Sequence, residues 1–342
     1  MSAAIVHICI PHSGRDHYDY QKGDLTVQLG ARVEVDFCKR RCVGMVVGFS
    51  DQSAFSLKLK PLLAVLDLEP VVSEGLLYFY RWVSRYYHAP FSSVLQLALP
   101  KQFRAGKPCV ETPLASSEAA SFPAGGSEPL SLTTEQSDAV KGIIATLGRY
   151  QCILLYGITG SGKTEVYLQA MEAVLQKGQQ VLVLVPEIGL TPQLISRVVA
   201  RFSTPVVVLH SHLSDAARYR AWQQAVFGKA GIVLGTRTAL FTPLPALGLI
   251  VIDEEHDASF KQQEGVWYSA RDAALVRAQQ TACPVILGSA TPSLDTYLHM
   301  MSGKYHCYRL TRSALAVSRL QMACVDLRNQ PLKEGLAEST YQ

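Results

Sequence analysis

Apolar and polar residues alternate in the first third of the chain and gather into short blocks in the last two thirds. The two patterns predict two kinds of sheet. In residues 31–37, Val33, Val35 and Phe37 alternate with polar positions, and residues 42–49 form a second strand-like run. Period two belongs to half-buried antiparallel strands, and the basic stretch Lys39-Arg40-Arg41 between the runs predicts a β-hairpin with a charged tip. Ser73 is a good N-cap for a helix over residues 74–87, with Leu76, Leu77, Phe79, Tyr80, Val83 and Tyr87 as its apolar and aromatic positions. Those aromatics either pack in a core or form a stacking platform for bases.

From Leu132 onward the period changes. Residues 152–156, 181–185, 205–209, 231–235, 248–252 and 284–287 are short apolar runs separated by helix-length segments. Short apolar blocks alternating with helices predict a parallel sheet covered on both faces, the doubly wound α/β class. In such sheets ligands sit at the carboxyl ends of the strands, so the residues after each run are the candidates for chemistry.

Between the two patterns, residues 104–132 are rich in Ala, Ser, Pro and Gly, which predicts a flexible linker. The 342 residues are enough for two or three domains, and 48% apolar with 18% charged residues is a globular composition. No apolar run approaches the roughly 20 residues of a membrane span, and the first ten residues carry no basic n-region. A cytoplasmic protein without a membrane partner is expected. A net charge of +4 selects no partner class. Eight cysteines are scattered without a C-x-x-C pair, which argues against a zinc ribbon or a redox dithiol; Cys38 and Cys42, four apart, are the one pair spaced to share a metal.

The first candidate chemistry is Gly157-Ile158-Thr159-Gly160-Ser161-Gly162-Lys163-Thr164, a G-x-x-x-x-G-K-[ST] phosphate loop. Its glycines let backbone N–H groups surround a polyphosphate, Lys163 can reach the outer phosphates, and the Thr164 hydroxyl can ligate magnesium. A strand-like run enters this loop and a helical pattern leaves it, as the motif requires. Next, Asp253-Glu254-Glu255-His256 follows the run 248–252. Asp253 is placed to hold magnesium and Glu254 to orient or deprotonate the attacking water. The last run, 284–287, leads into Gly288-Ser289-Ala290-Thr291-Pro292-Ser293, whose hydroxyls can relay hydrogen bonds from the nucleotide site to its neighbour.

In this order and spacing the three motifs resemble the first motor lobe of superfamily-two helicases. Longer stretches, Gly160 to Tyr167, Val185 to Gln193, Gly235 to Phe241, Asp253 to Asp257 and Lys261 to Gly265, resemble the bacterial primosomal replication-restart helicases. That resemblance implies a RecA-like doubly wound parallel-sheet helicase lobe preceded by a small β-rich DNA-binding domain. The implied layout is a 3′ DNA-binding domain at 1–103, the linker at 104–132 in place of a winged helix, helicase lobe one at 133–312, and the start of a truncated second lobe at 313–342. It further implies ATP and magnesium as cofactors, zinc cysteines that this chain lacks, and 3′ to 5′ translocation on single-stranded and forked DNA. A single-stranded-DNA-binding protein and other primosome proteins are the implied partners. By the same resemblance Gln136 contacts adenine, with a plain helix start as the lesser alternative. Thr191, Gln193, Thr236 and Arg237 touch the DNA backbone. Phe260, Lys261, Trp267, Tyr268 and Arg271 form an aromatic-rich loop that senses the single strand. Tyr18, Asp19 and Lys60 receive a 3′ end, Tyr18 by stacking, Asp19 by accepting hydrogen bonds and Lys60 at a phosphate.

Two departures from the family pattern qualify these expectations. Asp36-Phe37-Cys38 stands where the family carries Pro-Phe-Gly, which adds a negative charge and replaces a glycine where the terminal base approaches. The family's later motifs, including arginines that reach the γ-phosphate, are expected beyond residue 342. Such arginines are worth roughly 10³ to 10⁵ in rate, so weak hydrolysis and no unwinding are expected of these residues alone. A non-catalytic fork or 3′-end binding module is the alternative reading.

Overall fold

The computed structural model describes residues 5–53, 59–111, 129–190 and 192–313, with isolated positions at 328, 332–333 and 336–337. The alternating stretch folds as a five-stranded antiparallel sheet: β1 (Ile5–Cys9), β2 (Tyr18–Gln21), β3 (Arg32–Phe37), β4 (Arg40–Ser50) and β5 (Leu62–Val65), in the order β2-β1-β4-β3-β5. Val6, Ile8, Val33, Val35 and Val46 form its buried face, as period two requires. The hairpin is tighter than its sequence suggests. Phe37 pairs with Arg40, so the tip is Cys38-Lys39, both with positive φ (50° and 62°), while Arg40 and Arg41 belong to β4. A two-residue turn between right-twisted strands takes that conformation, which glycine or asparagine adopts at least cost.

Three helices follow: α1 (Glu74–Tyr86), α2 (Phe91–Ala98) and α3 (Lys101–Arg104). The Ser73 hydroxyl accepts from the Leu76 amide, so the expected N-cap is in place. Phe79 and Tyr80 are buried against Phe241, and the Tyr80 hydroxyl donates to the Phe241 carbonyl at 2.5 Å. Of the two readings of these aromatics, core packing therefore holds for Phe79 and Tyr80.

The second sheet has seven strands, all parallel: β6 (Gln151–Gly157), β7 (Gln180–Leu184), β8 (Val206–Leu209), β9 (Ile232–Gly235), β10 (Leu247–Ile252), β13 (Pro284–Ser289) and β14 (His306–Leu310), ordered β14-β6-β13-β10-β7-β9-β8. Six were expected; β14, whose pattern His306-Cys307-Tyr308-Arg309-Leu310 is only half apolar, was not. The numbers β11 (Lys261–Gln262) and β12 (Tyr268–Ser269) denote a small hairpin outside this sheet. The helices are α4 (Thr134–Ile144), α5 (Lys163–Gln176), α6 (Pro192–Arg201), α7 (Asp215–Val226), α8 (Ala270–Gln280) and α9 (Leu294–Met301). Ile153, Leu155, Val181, Val183 and Val251 bury into one cluster and Leu154, Leu182, Ile250 and Leu287 into another. Both faces of the sheet are thus covered, which is why its strands read as continuous apolar runs.

Two buried arginines tie the halves together. The Arg32 guanidinium makes a bidentate pair with Asp67 (2.8 and 2.7 Å), donates to the carbonyls of Phe103 and Lys107, and lies 3.7 Å from the Phe103 ring centroid. Lys107 and Pro108 in turn accept from the Tyr219 hydroxyl on α7, and Val110 accepts from Gln223. Residues 104–111, expected as the start of the linker, therefore have fixed partners; 112–128 lie outside the described residues, as does nearly all of the expected second-lobe start. Arg277 on α8 is fully buried and donates to the Leu240 and Thr242 carbonyls beside Phe241.

With Arg32 2% and Asp67 8% exposed, removing one partner strands a charge in the interior. Arg32→Ala is expected to cost about 3–5 kcal/mol of stability. Arg32→Met with Asp67→Leu is expected to cost clearly less, which urea unfolding of the two variants would measure.

Candidate nucleotide and nucleic-acid site

The phosphate loop lies between the end of β6 and the start of α5. Gly162 is the N-cap of α5, in the left-handed conformation (φ 80°), and no side chain caps the helix. The first amides of α5 are left for an anion, and the helix dipole favours one. Gly157 must lack a side chain: a Cβ there would stand 2.4 Å from the Ser161 Oγ. That Oγ is buried and has no hydrogen-bond partner, an orphaned donor inside the loop. Lys163 donates to the Gly157 carbonyl at 3.0 Å and lies 4.0 Å from a Glu254 carboxylate oxygen. Ile158, Thr159 and Gly160 are exposed, and Thr164 is half-buried.

Gln136 is placed differently from its expected role at adenine. It is 3% exposed, its amide accepts from the Thr133 N–H in a capping box, and its Nε2 donates to the Ser161 carbonyl at 2.8 Å. The helix-start reading is the one realised, with an addition: Gln136 braces the phosphate loop from behind. The S/T-x-x-Q spacing Thr133 to Gln136 is the signal for it.

Across β13, the end of β10 supplies the acidic pair. Asp253 is half-buried; its Oδ1 accepts from the Tyr167 hydroxyl (3.1 Å) and from the Glu254 amide (3.1 Å). Burial pushes its pKa up, and Glu254 adds to this while Tyr167 and Lys163 oppose it. Tyr167 can reach Asp253 only because residue 288 is glycine, since a Cβ there would fall 1.5 Å from the Tyr167 oxygen. Glu254 has φ 49°, a strained conformation for a residue with a side chain, and strain of this kind collects at functional positions.

His256 joins this pair to the third motif. Its Nδ1 lies 2.8 Å from the Ser289 Oγ and 3.6 Å from Glu254, its Nε2 lies 3.4 Å from the Thr291 hydroxyl, and the Thr291 amide donates to Ser289. The expected relay of hydroxyls is present, with the histidine as its link. Glu255, unremarked in the sequence, is fully buried and accepts from the Ser293 amide, the Thr296 hydroxyl and Arg271. Nothing in its type or spacing separates it from Glu254; alternation after β10 is the only hint.

The expected nucleic-acid residues are scattered. Thr191 lies outside the described residues, Gln193 is exposed at the start of α6, and Thr236 is buried. Arg237 donates to Gln262 and to the Ser259 carbonyl, which fastens the β11–β12 hairpin to the turn after β9. The expected aromatic loop is this hairpin. Phe260 (2% exposed) and Tyr268 (3%) are packed inside, Tyr268 against Phe241 and Tyr87, so neither ring can receive a base. Arg271 is on α8 and is committed to Glu255, Ser293 and Asp272; burial works against its charge, but Asp272 and Glu255 outweigh it and raise its pKa. Trp267 (65% exposed) and Lys261 remain in solvent.

On the first sheet, Tyr18 is half-buried with its ring edge-on to Phe37 at 4.8 Å. Asp19 accepts from Ser53 (2.5 Å) and pairs with His7 (2.7 Å); burial would raise its pKa, but these hydrogen bonds prevail and lower it. Lys60 pairs with Asp36 at 3.1 Å, both half-exposed.

The chain matches two family profiles, the PriA 3′ DNA-binding domain over residues 7–100 and the DEAD/DEAH box helicase over residues 133–299. It is 35% identical to the replication restart protein PriA of Haemophilus influenzae across 92% of this chain and 53% of that protein. Treponema pallidum PriA is 34% identical across 89% of this chain and 46% of its own length, and Bacillus subtilis PriA 44% identical across 61% and 26%. The chain thus spans about half the length, or less, of these relatives. Over that span the chain belongs to the family of replication restart protein PriA, with a 3′ DNA-binding domain ahead of a helicase domain.

Proposed function

We propose that the chain is the nucleotide-hydrolysing, DNA-gripping part of a replication-restart helicase. The observation that carries the reading is the meeting of Lys163, Asp253 and Glu254 at the carboxyl ends of β6 and β10, with Asp253 held by Tyr167. The orphaned Ser161 hydroxyl, the bare Gly157 cradle and the uncapped α5 terminus suit a triphosphate. Thr164 and Asp253 are the residues to hold magnesium, which when bound neutralises charge on the transferring phosphoryl group. Lys163 exchanges the Gly157 carbonyl for phosphate oxygens, and Glu254 orients the attacking water. His256 carries the state of Glu254 to Ser289 and Thr291. The domain layout proposed is 1–103, 133–312 and a second-lobe start from 313. Forked and single-stranded DNA, a single-stranded-DNA-binding protein and primosome proteins are the proposed partners, in a cytoplasmic setting.

DNA-stimulated ATP hydrolysis tests this reading, with a single-stranded oligonucleotide of free 3′ end as activator. Lys163→Ala is expected to lower the stimulated rate by roughly 10² to 10³; the ratio is informative even where turnover is slow. Equal rates in the two proteins would reject a motor and leave the non-catalytic binding module.

Two further outcomes follow from the geometry. Gly288→Ala should displace Tyr167 from Asp253 and lower magnesium-dependent hydrolysis by about 10²-fold, with partial recovery in Gly288→Ala/Tyr167→Phe. Trp267→Ala should weaken single-strand binding by about 1–3 kcal/mol in fluorescence anisotropy without lowering the melting temperature, whereas Tyr268→Ala should lower the melting temperature.

A further inference from the structure

The pairing of β1 with β2 sets His7 opposite Asp19. His17, which stands just ahead of β2 and two residues before Asp19, comes to the same side. Three ligand atoms result, all within 4.8 Å of one another: the His7 Nδ1 2.7 Å and the His17 Nε2 3.8 Å from the Asp19 Oδ1. The two imidazole rings meet edge-on, with centroids 4.5 Å apart. Ligands about 2.1 Å from a tetrahedral zinc ion are separated by about 3.4 Å, a value that lies between the two distances to Asp19. Modest movement would bring all three to one ion.

We propose that His7, His17 and Asp19 form a binding site for a divalent metal ion of the zinc class. Two imidazoles and one carboxylate are a donor set such ions take, and three protein ligands leave a position open to water. The second carboxylate oxygen of Asp19 is held by the Ser53 hydroxyl, which fixes the orientation of the ligand oxygen from behind. Coordination by the His7 Nδ1 would take the place of its contact with Asp19, so binding of the ion and that pairing compete for one nitrogen. Of the charged groups near the cluster, the Arg81 guanidinium opposes a cation and Asp16 favours one; Arg81 itself is engaged by the Val47 carbonyl.

Titration of the chelator-treated full chain with cobalt(II), followed by visible absorption, tests the site, with zinc calorimetry beside it. One equivalent is expected to bind without sulfur-to-cobalt charge transfer. His17→Ala and Asp19→Asn are expected to lose more than about tenfold in affinity. His17 is half-exposed, so His17→Ala should keep the metal-free melting temperature even where Asp19→Asn does not. Absence of binding by the wild-type chain, undiminished binding by His17→Ala, or charge-transfer bands that reveal cysteine capture would each overturn the assignment.

Discussion

A carboxylate without any exposure must find its partners inside the protein, and at Glu255 that requirement shapes the whole edge of the sheet that carries the acidic pair. Its oxygens take the Ser293 amide and the Thr296 hydroxyl from the start of α9 and a guanidinium N–H from Arg271 on α8, and its own amide donates to Gly288 at the end of β13. Three elements are drawn to one residue. Glu254 and His256, its chain neighbours, are thereby carried to the other side, toward Lys163 and Ser289. The strained φ of Glu254 is the local cost of turning successive side chains to opposite duties.

The same logic joins the amino-terminal helices to the helicase domain. Arg277, deeply buried, has its pKa pushed down to about 10 by desolvation; its two terminal nitrogens donate to carbonyls of the turn after β9, while its Nε has no partner among the described residues. Tyr80 from α1 donates to Phe241 in that turn, and Arg237 from the same turn holds the β11–β12 hairpin. One short turn thus touches α1, α8 and the hairpin that presents Trp267. A shift of any of these has a path of packed and hydrogen-bonded contacts to the others.

Much of this was legible in the sequence because the signals were periodic or local. The six apolar runs and the phosphate loop needed only period and spacing, and the Ser73 N-cap only its residue type. What escaped was long-range. Phe260 and Tyr268 read as loop aromatics free to stack, yet both are buried, Tyr268 against Phe241, and burial decides their role. Arg271 reads as a basic DNA contact until Glu255 and Ser293 are seen beside it. Gln136 carries a capping box in its spacing, but its hold on Ser161 belongs to the fold. Glu255 differs from Glu254 in nothing the sequence displays.

The two departures at the expected 3′-end pocket also change meaning in three dimensions. Cys38 stands where a glycine was expected on grounds of room for a base, but it lies exposed at a two-residue turn with φ 50°, where glycine is favoured for its backbone alone. A side chain there costs turn stability before it costs space. Asp36, the added negative charge, is paired with Lys60, the residue that would meet a phosphate. Both partners are half-exposed, and such pairs are worth about 0–1 kcal/mol. A strand phosphate that displaces Asp36 from Lys60 therefore gives up little, and the carboxylate returns to water. At the expected pocket Asp36 is thus a weak competitor for Lys60, whereas Asp19 is already held by Ser53 and His7.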